Sequence, residues 1–271
     1  MTALPPLTVS TVVTTLRSAG CVFAEDEARL LVIEARSGAD LAALVQRRVD
    51  GLPLEHVLGW AEFCGLRMAV DPGVFVPRRR TKFLVRLAAD LAPRRPVVVD
   101  LCCGSGAVGA ALGAVLEDAE LHAADIDAAA VRCARRNIGA AGGQVHEGDL
   151  YDPLPADLRG RVDLLAVNAP YVPTDAIELM PPEARLYEPL VALDGGADGL
   201  DVHRRVAADA ANWLTPGGRL LVEASERQAP HAAEALARNG LDPRIETCDE
   251  LSACVVVGTR PRRSTVESGG R

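Results

Sequence analysis

Between residues 9 and 49 apolar side chains recur at helical spacing: Val12, Val13 and Leu16, then Ala28, Leu31, Val32 and Ala35. The interruptions "SAGC" and "RSGAD" divide the run, which predicts a small helical domain over residues 1–50. From Gly51 to Val76 the period changes. Trp60, Phe63, Leu66, Met68 and Val70 partly alternate around Cys64–Gly65, as expected of a β-hairpin linker over residues 51–76. Beyond "PRRRTK" the chain alternates: helix Phe83–Leu91, strand Val97–Leu101, a glycine loop and helix, strand Glu120–Ala124, helix Ala128–Ile138, strand Gln144–Glu147 and strand Val162–Val167. "GRLLVEAS" and "SACVVVGT" supply two late strands. This order predicts an α/β domain over residues 77–259, with a doubly wound, mostly parallel sheet. Residues 260–271 carry no apolar periodicity and read as a disordered tail.

Composition narrows the function classes. The chain has 271 residues, 49% hydrophobic and 24% charged, which fits a soluble protein with one large domain and one small one. The charge-free stretch Leu101–Leu116 is broken by glycines and too short to span a bilayer, and "MTALPPLTVS" lacks the basic start of a signal peptide. The expected compartment is the cytoplasm, with no membrane partner. Seven scattered cysteines show no metal-ligand spacing and are expected as reduced thiols. A net charge of −8 argues against direct nucleic-acid binding, which usually needs a basic face.

The candidate chemistry lies at strand ends. Asp100 closes a β-branched strand before Cys102, Cys103, Gly104, Ser105 and Gly106, whose glycines let a ligand approach backbone and the start of a helix. Gly104, Gly106 and Gly109 also satisfy a dinucleotide fingerprint taken literally, and a tight strand-to-helix turn without a ligand is the other reading. Asp125 ends the next strand and Asp149, followed by Leu150, ends the third, where carboxylates accept from ribose hydroxyls or an adenine edge. Taken singly, each acid reads as a turn or cap residue. Asn168 follows the fourth strand and opens "NAPY", Asn168, Ala169, Pro170 and Tyr171. A carboxylate at the first strand end suits the ammonium of an amino-acid cofactor better than a pyrophosphate.

With "DLCCGSGA", "AADID", "EGDLYDPL", "LPLEHVLGWAEFCGLRMAVDPGVFVPR" and "YEPLVALDGGADGL", the chain resembles the HemK/PrmC family of protein glutamine methyltransferases, class I enzymes dependent on S-adenosylmethionine. The resemblance spans nearly the whole chain. It implies a Rossmann-like fold, S-adenosylmethionine as cofactor with S-adenosylhomocysteine as product, and a peptide-chain release factor as the protein substrate. It implies that Cys102 to Gly106 form the cofactor loop, with Asp125 at the ribose and Asp149 and Leu150 at the adenine. Asn168 to Tyr171 would hold the target amide, supported by Glu188 and Pro189. Three departures stand out: Ala169 where the family has a second proline, Cys102 and Cys103 where it has small residues, and "PRRRTK" where it has Pro-Arg-Pro-Glu-Thr-Glu. Arg79 replaces a proline there, and Arg80 and Lys82 replace the two acids; Arg78 and Arg80 of this basic stretch are candidate substrate-docking residues. An adenine N-methyltransferase, or a cofactor-binding partner protein without catalysis, is the alternative.

Overall fold

A computed structural model describes residues 8–262. Four helices open the chain: α1 (Val9–Ser18), α2 (Ala24–Glu34), α3 (Gly38–Val49) and α4 (Leu54–Leu58). Val12, Leu16, Ala28, Leu31, Leu41 and Val45 form their common core, as the 3.6-residue period requires. Val57 joins the same core, so the helical unit extends beyond residue 50. The segment 51–76 is therefore not a hairpin throughout. The hairpin proper is β1 (Trp60–Phe63) with β2 (Leu66–Ala69), turning at Cys64 and Gly65, both at positive φ.

After α5 (Lys82–Leu91) come β3 (Val97–Leu101), α6 (Ala107–Val115), β4 (Glu120–Asp125), α7 (Ala128–Gly139), β5 (Gln144–Glu147) and β6 (Val162–Val167). They are followed by α8 (Pro182–Tyr187), α9 (Asp201–Trp213), β7 (Leu214–Glu223), α10 (Ala229–Arg238), β8 (Asp242–Cys248) and β9 (Ala253–Thr259). The sheet runs β5-β4-β3-β6-β7-β9-β8, parallel from β5 to β7, with β9 antiparallel to both of its neighbours. Every residue of β3 is buried, as a strand covered on both faces must be. Val97, Val99 and Leu101 pack with Trp213 on one face, while Val98 packs with Leu84, Leu112 and Ile138 on the other.

Chain order reverses between β3 and β6. In an open α/β sheet, ligands bind beyond the carboxyl ends of the strands at such a switch point. The register Leu101 to Val167 starts the glycine loop and the "NAPY" loop side by side there. Buried Arg48 of α3 pairs with Glu27 at 2.6 Å and reaches Glu183 of α8 at 2.7 Å, while the Tyr187 hydroxyl donates to the Asp50 carbonyl at 3.0 Å. The helical unit thereby forms one wall of the switch-point region.

Arg260 exchanges backbone bonds with Gly217 and Gly218, so the expected tail begins later than residue 260; residues 263–271 lie outside the described part. Among the described residues no helix is long and apolar enough to cross a membrane.

Candidate active site

The loops beyond β3, β4, β5 and β6 line a cleft open to solvent. Asp100, Cys102, Cys103, Gly104 and Ser105 form one wall, and Asp125, Asp149, Leu150 and Asn168 lie around the remainder. Asp100 is 1% exposed, and its Oδ2 accepts from the Gly109 N–H at 2.8 Å. Burial pushes its carboxyl up to about 7. Asp125 ties the wall together, accepting from the Gly104 N–H at 2.8 Å and the Asp127 N–H at 2.9 Å. Burial also raises Asp125. Asp149 pairs with Arg205 of α9 at 2.6 Å. Cys102 (φ 55°) and Leu150 (φ 48°) both adopt left-handed backbone against the cleft, the kind of local strain that gathers at binding sites. Both loop thiols are raised by burial first and by the neighbouring acids second, which keeps them protonated and suits side chains that fill space.

Gly106 departs from the expectation. It does not line the cleft; at φ 77° it caps α6, and a Cβ there would lie 3.0 Å from the Ala134 Cα. Its missing side chain lets α6 pack on α7. Ile126, Phe75 and Arg205 also line the cleft, outside the residues expected from the sequence. Ile126 was recoverable as the neighbour of a strand-end acid. Arg205 sits on a helix with no motif around it.

A second cleft, of about 920 Å³, opens on the other side of the "NAPY" loop. Asn168, Pro170, Phe75 and Ala192 face both clefts, whereas Ala169 and Tyr171 face only the second. Ala169 is 2% exposed, and no backbone N–H of the described residues outside regular elements donates to its carbonyl. Pro170 confines the residue before it to extended backbone. The loop is held from behind by the 188–199 segment: Val172 N–H donates to Leu193 O at 3.0 Å, and Gly195 N–H donates to Val172 O at 2.9 Å. Gly199 (φ 77°) packs so tightly there that a Cβ would collide with the Tyr171 carbonyl.

Arg78 and Arg80 stand in the wall of the second cleft, but their charges turn inward. Arg78 pairs at 2.5 Å with Glu188, whose side chain is 1% exposed and which also accepts from the Val76 N–H at 3.3 Å. Arg80 pairs at 3.0 Å with buried Glu223, and Lys82 pairs at 2.7 Å with Glu62. Arg79 alone of the four cations makes no ion pair among the described residues. The expected docking patch is in large part an intramolecular neutralisation. The reason is topological: the carboxylates come from β7, the 188 loop and the hairpin, remote in sequence.

The first cleft fits S-adenosylmethionine. Asp100 lines it as a buried carboxylate with a backbone donor and no ion-pair partner among the described residues, chemistry that suits an ammonium. Asp125 retains lone pairs beyond its two backbone bonds, and Ile126 and Leu150 offer apolar surface beside it.

Residues 65–180 match the family model described as Methyltransferase small domain. A release factor glutamine methyltransferase of Geobacter sulfurreducens is 39% identical over 219 residues, covering 80% of this chain and 76% of the relative. A 4-amino-L-phenylalanine/4-methylamino-L-phenylalanine methyltransferase of Streptomyces pristinaespiralis is 38% identical over 186 residues, covering 66% and 63%. A crystal structure of a methyltransferase from Pyrococcus furiosus superposes with a TM-score of 0.56 at 14% identity, covering 82% of this chain and 99% of that one, a likeness of fold.

Proposed function

The chain belongs to the release factor glutamine methyltransferase family, and from that premise we propose that it methylates the side-chain amide nitrogen of a glutamine in a peptide-chain release factor. One observation supports this assignment above the others: Asn168 and Pro170 stand between two clefts, one fitted to the cofactor and the other open to a protein segment.

An amide nitrogen is a poor nucleophile because its lone pair is delocalised. S-adenosylmethionine supplies a sulfonium methyl to the first cleft. Asn168 accepts one amide N–H through its side-chain oxygen, and the Ala169 carbonyl accepts the other. Together they fix the plane of the amide and favour the positive charge that develops on its nitrogen. The carbonyl does not depend on the residue type, so Ala169 keeps this acceptor. What alanine lacks is the ring that would fix φ, a loss of about 0.5–1 kcal/mol in preorganisation. Tyr171 offers a ring beside the planar group. Once methylated, the nitrogen carries an extra proton and is a strong acid that releases it to water, so no protein base is required.

The compartment in this reading is the cytoplasm, which the seven free thiols support. The test is incubation with methyl-labelled S-adenosylmethionine and a lysate of the source organism, followed by mapping of the label. A labelled glutamine side chain in a release factor is expected. Label confined to adenine, or to a free aryl amine such as the one for which the Streptomyces pristinaespiralis relative is named, contradicts the assignment.

A further inference from the structure

Glu223 is the last residue of β7, and the pairing of Val167 with Val222 brings it level with Asn168. Its carboxylate is nearly sealed from solvent. Oε1 accepts from Arg80 Nε at 3.0 Å and from the Tyr171 hydroxyl at 3.1 Å, while buried Oε2 has no partner among the described residues. A buried carboxylate bonded through one oxygen depends on the charge of its donor. Arg80 is the one cation within 4 Å among the described residues. The nearby imidazole of His203 is committed elsewhere: its Nε2–H donates to the Glu223 backbone carbonyl at 3.0 Å. The Arg80 guanidinium also lies 5.7 Å from the centre of the Tyr171 ring, close enough for a cation–π contact. Gln228 Nε2 donates to the Tyr171 carbonyl at 2.9 Å. Tyr171 is thus held at its hydroxyl, its face and its backbone.

We propose that Arg80 and Glu223 are positioning residues: they clamp Tyr171 and thereby aim the Ala169 carbonyl, giving the loop the rigidity that a proline ring at 169 would otherwise supply. The sheet fixes the chain up to Val167 and the clamp fixes it again at Tyr171. Three residues lie between, and Pro170 removes one of their torsions. With both ends fixed, the Ala169 peptide has few ways to turn. Without the clamp, the Tyr171 side chain no longer restrains that peptide, and its φ is left to the backbone bonds at Tyr171 and Val172. Arg80 lines the second cleft and not the first, so its effect falls on the acceptor and not on the cofactor. The catalytic half of this inference rests on the glutamine methyltransferase reading; the structural half does not.

The test compares Arg80→Ala with wild type in two backgrounds, Ala169 and Ala169→Pro. Hydrogen exchange of the Asn168, Tyr171 and Val172 amides, measured without substrate, reads the order of the loop. Steady-state kinetics on a release factor read its consequence. Arg80→Ala is expected to speed exchange and to lower kcat about fivefold, the order of what the missing ring contributes. S-adenosylmethionine affinity changes less than about twofold, and Arg80→Lys restores part of kcat. With proline at 169, the kcat loss shrinks below about threefold and exchange slows again. Equal losses in both backgrounds, unchanged exchange, or an effect on KM alone overturns the proposal. If no release factor is methylated, the function reading fails while the exchange measurement still decides the clamp. Should Arg80→Ala not fold, Arg80→Ala/Glu223→Gln carries the same comparison without a buried unpaired charge.

Discussion

Lowering the pH from 7 to 5.5 is expected to weaken S-adenosylmethionine binding by about fifteenfold, through Asp100. This carboxyl is 1% exposed, accepts from the Gly109 N–H at 2.8 Å, and is pushed by burial up to about 7. An ammonium binds its ionised form, so the protonated protein must lose a proton first. With a midpoint near 7, about half of the molecules are ionised at pH 7 and about 3% at pH 5.5, a difference of ~1.6 kcal/mol. In the free protein the same shift acts on stability. Asp100 titrates at 3.8 in its ordinary state and at about 7 when folded, so its favourable contribution is complete below 3.8 and is lost as pH rises through 7. The bound cation recovers that loss, giving up to ~4 kcal/mol more cofactor stabilisation at neutral than at acid pH. Titration calorimetry between pH 5.5 and 7, in buffers of different ionisation enthalpy, counts the proton directly. That range stays below the titration of the ligand's own amino group at about 7.7–8.0. About 0.9 proton is expected to be released at pH 6, and Asp100→Asn should flatten the profile and bind more weakly. Affinity that does not change with pH, with no proton released, refutes this role for Asp100.

Arg78→Ala leaves Glu188 buried with only the Val76 N–H at 3.3 Å, and is expected to cost about 2–3 kcal/mol in urea unfolding at pH 7, since Arg78 itself is part-exposed. Burial already raises Glu188, so it protonates more readily once its cation is gone; the deficit should shrink toward pH 5, and a deficit independent of pH contradicts the pairing. Gly106→Ala should destabilise by about 2–3 kcal/mol through its positive φ and its contact with Ala134, while leaving S-adenosylmethionine affinity unchanged below the melting range. Lost affinity without lost stability would instead return Gly106 to the cofactor site.

Strand ends were the legible part of this sequence. A buried parallel strand announces itself as an apolar run, so Asp100, Asp125 and Asn168 could be placed at carboxyl ends before any contact was known. Strand β8 was not legible: it is an exposed edge with Pro243 in it and Ile245 half in solvent, so neither an apolar run nor alternation marks it. Helix α4 was hidden by its length of five residues, too few for a period to show. The meaning of "PRRRTK" was hidden by distance, because Arg80 meets Glu223 across 143 positions and Arg78 meets Glu188 across 110. Charge reversal in a linear motif suggests a surface, whereas the fold turns these cations onto buried carboxylates. Gly106 is ambiguous in the sequence for a related reason: a glycine-rich loop serves ligand approach and helix packing with the same residue, and the position of α7 supplies the packing reason.

In the proposed function Asn168, between the two clefts, holds the target amide and contributes little to holding the cofactor. Asn168→Ala, assayed with methyl-labelled S-adenosylmethionine and a purified release factor, tests it most directly when the S-adenosylmethionine dissociation constant is measured on the same preparation. Transfer to the glutamine is expected to fall by a factor of about a thousand, as for loss of a principal transition-state acceptor, while the dissociation constant moves by less than about threefold. Transfer at the wild-type rate, or a loss of activity fully matched by a loss of cofactor binding, contradicts it.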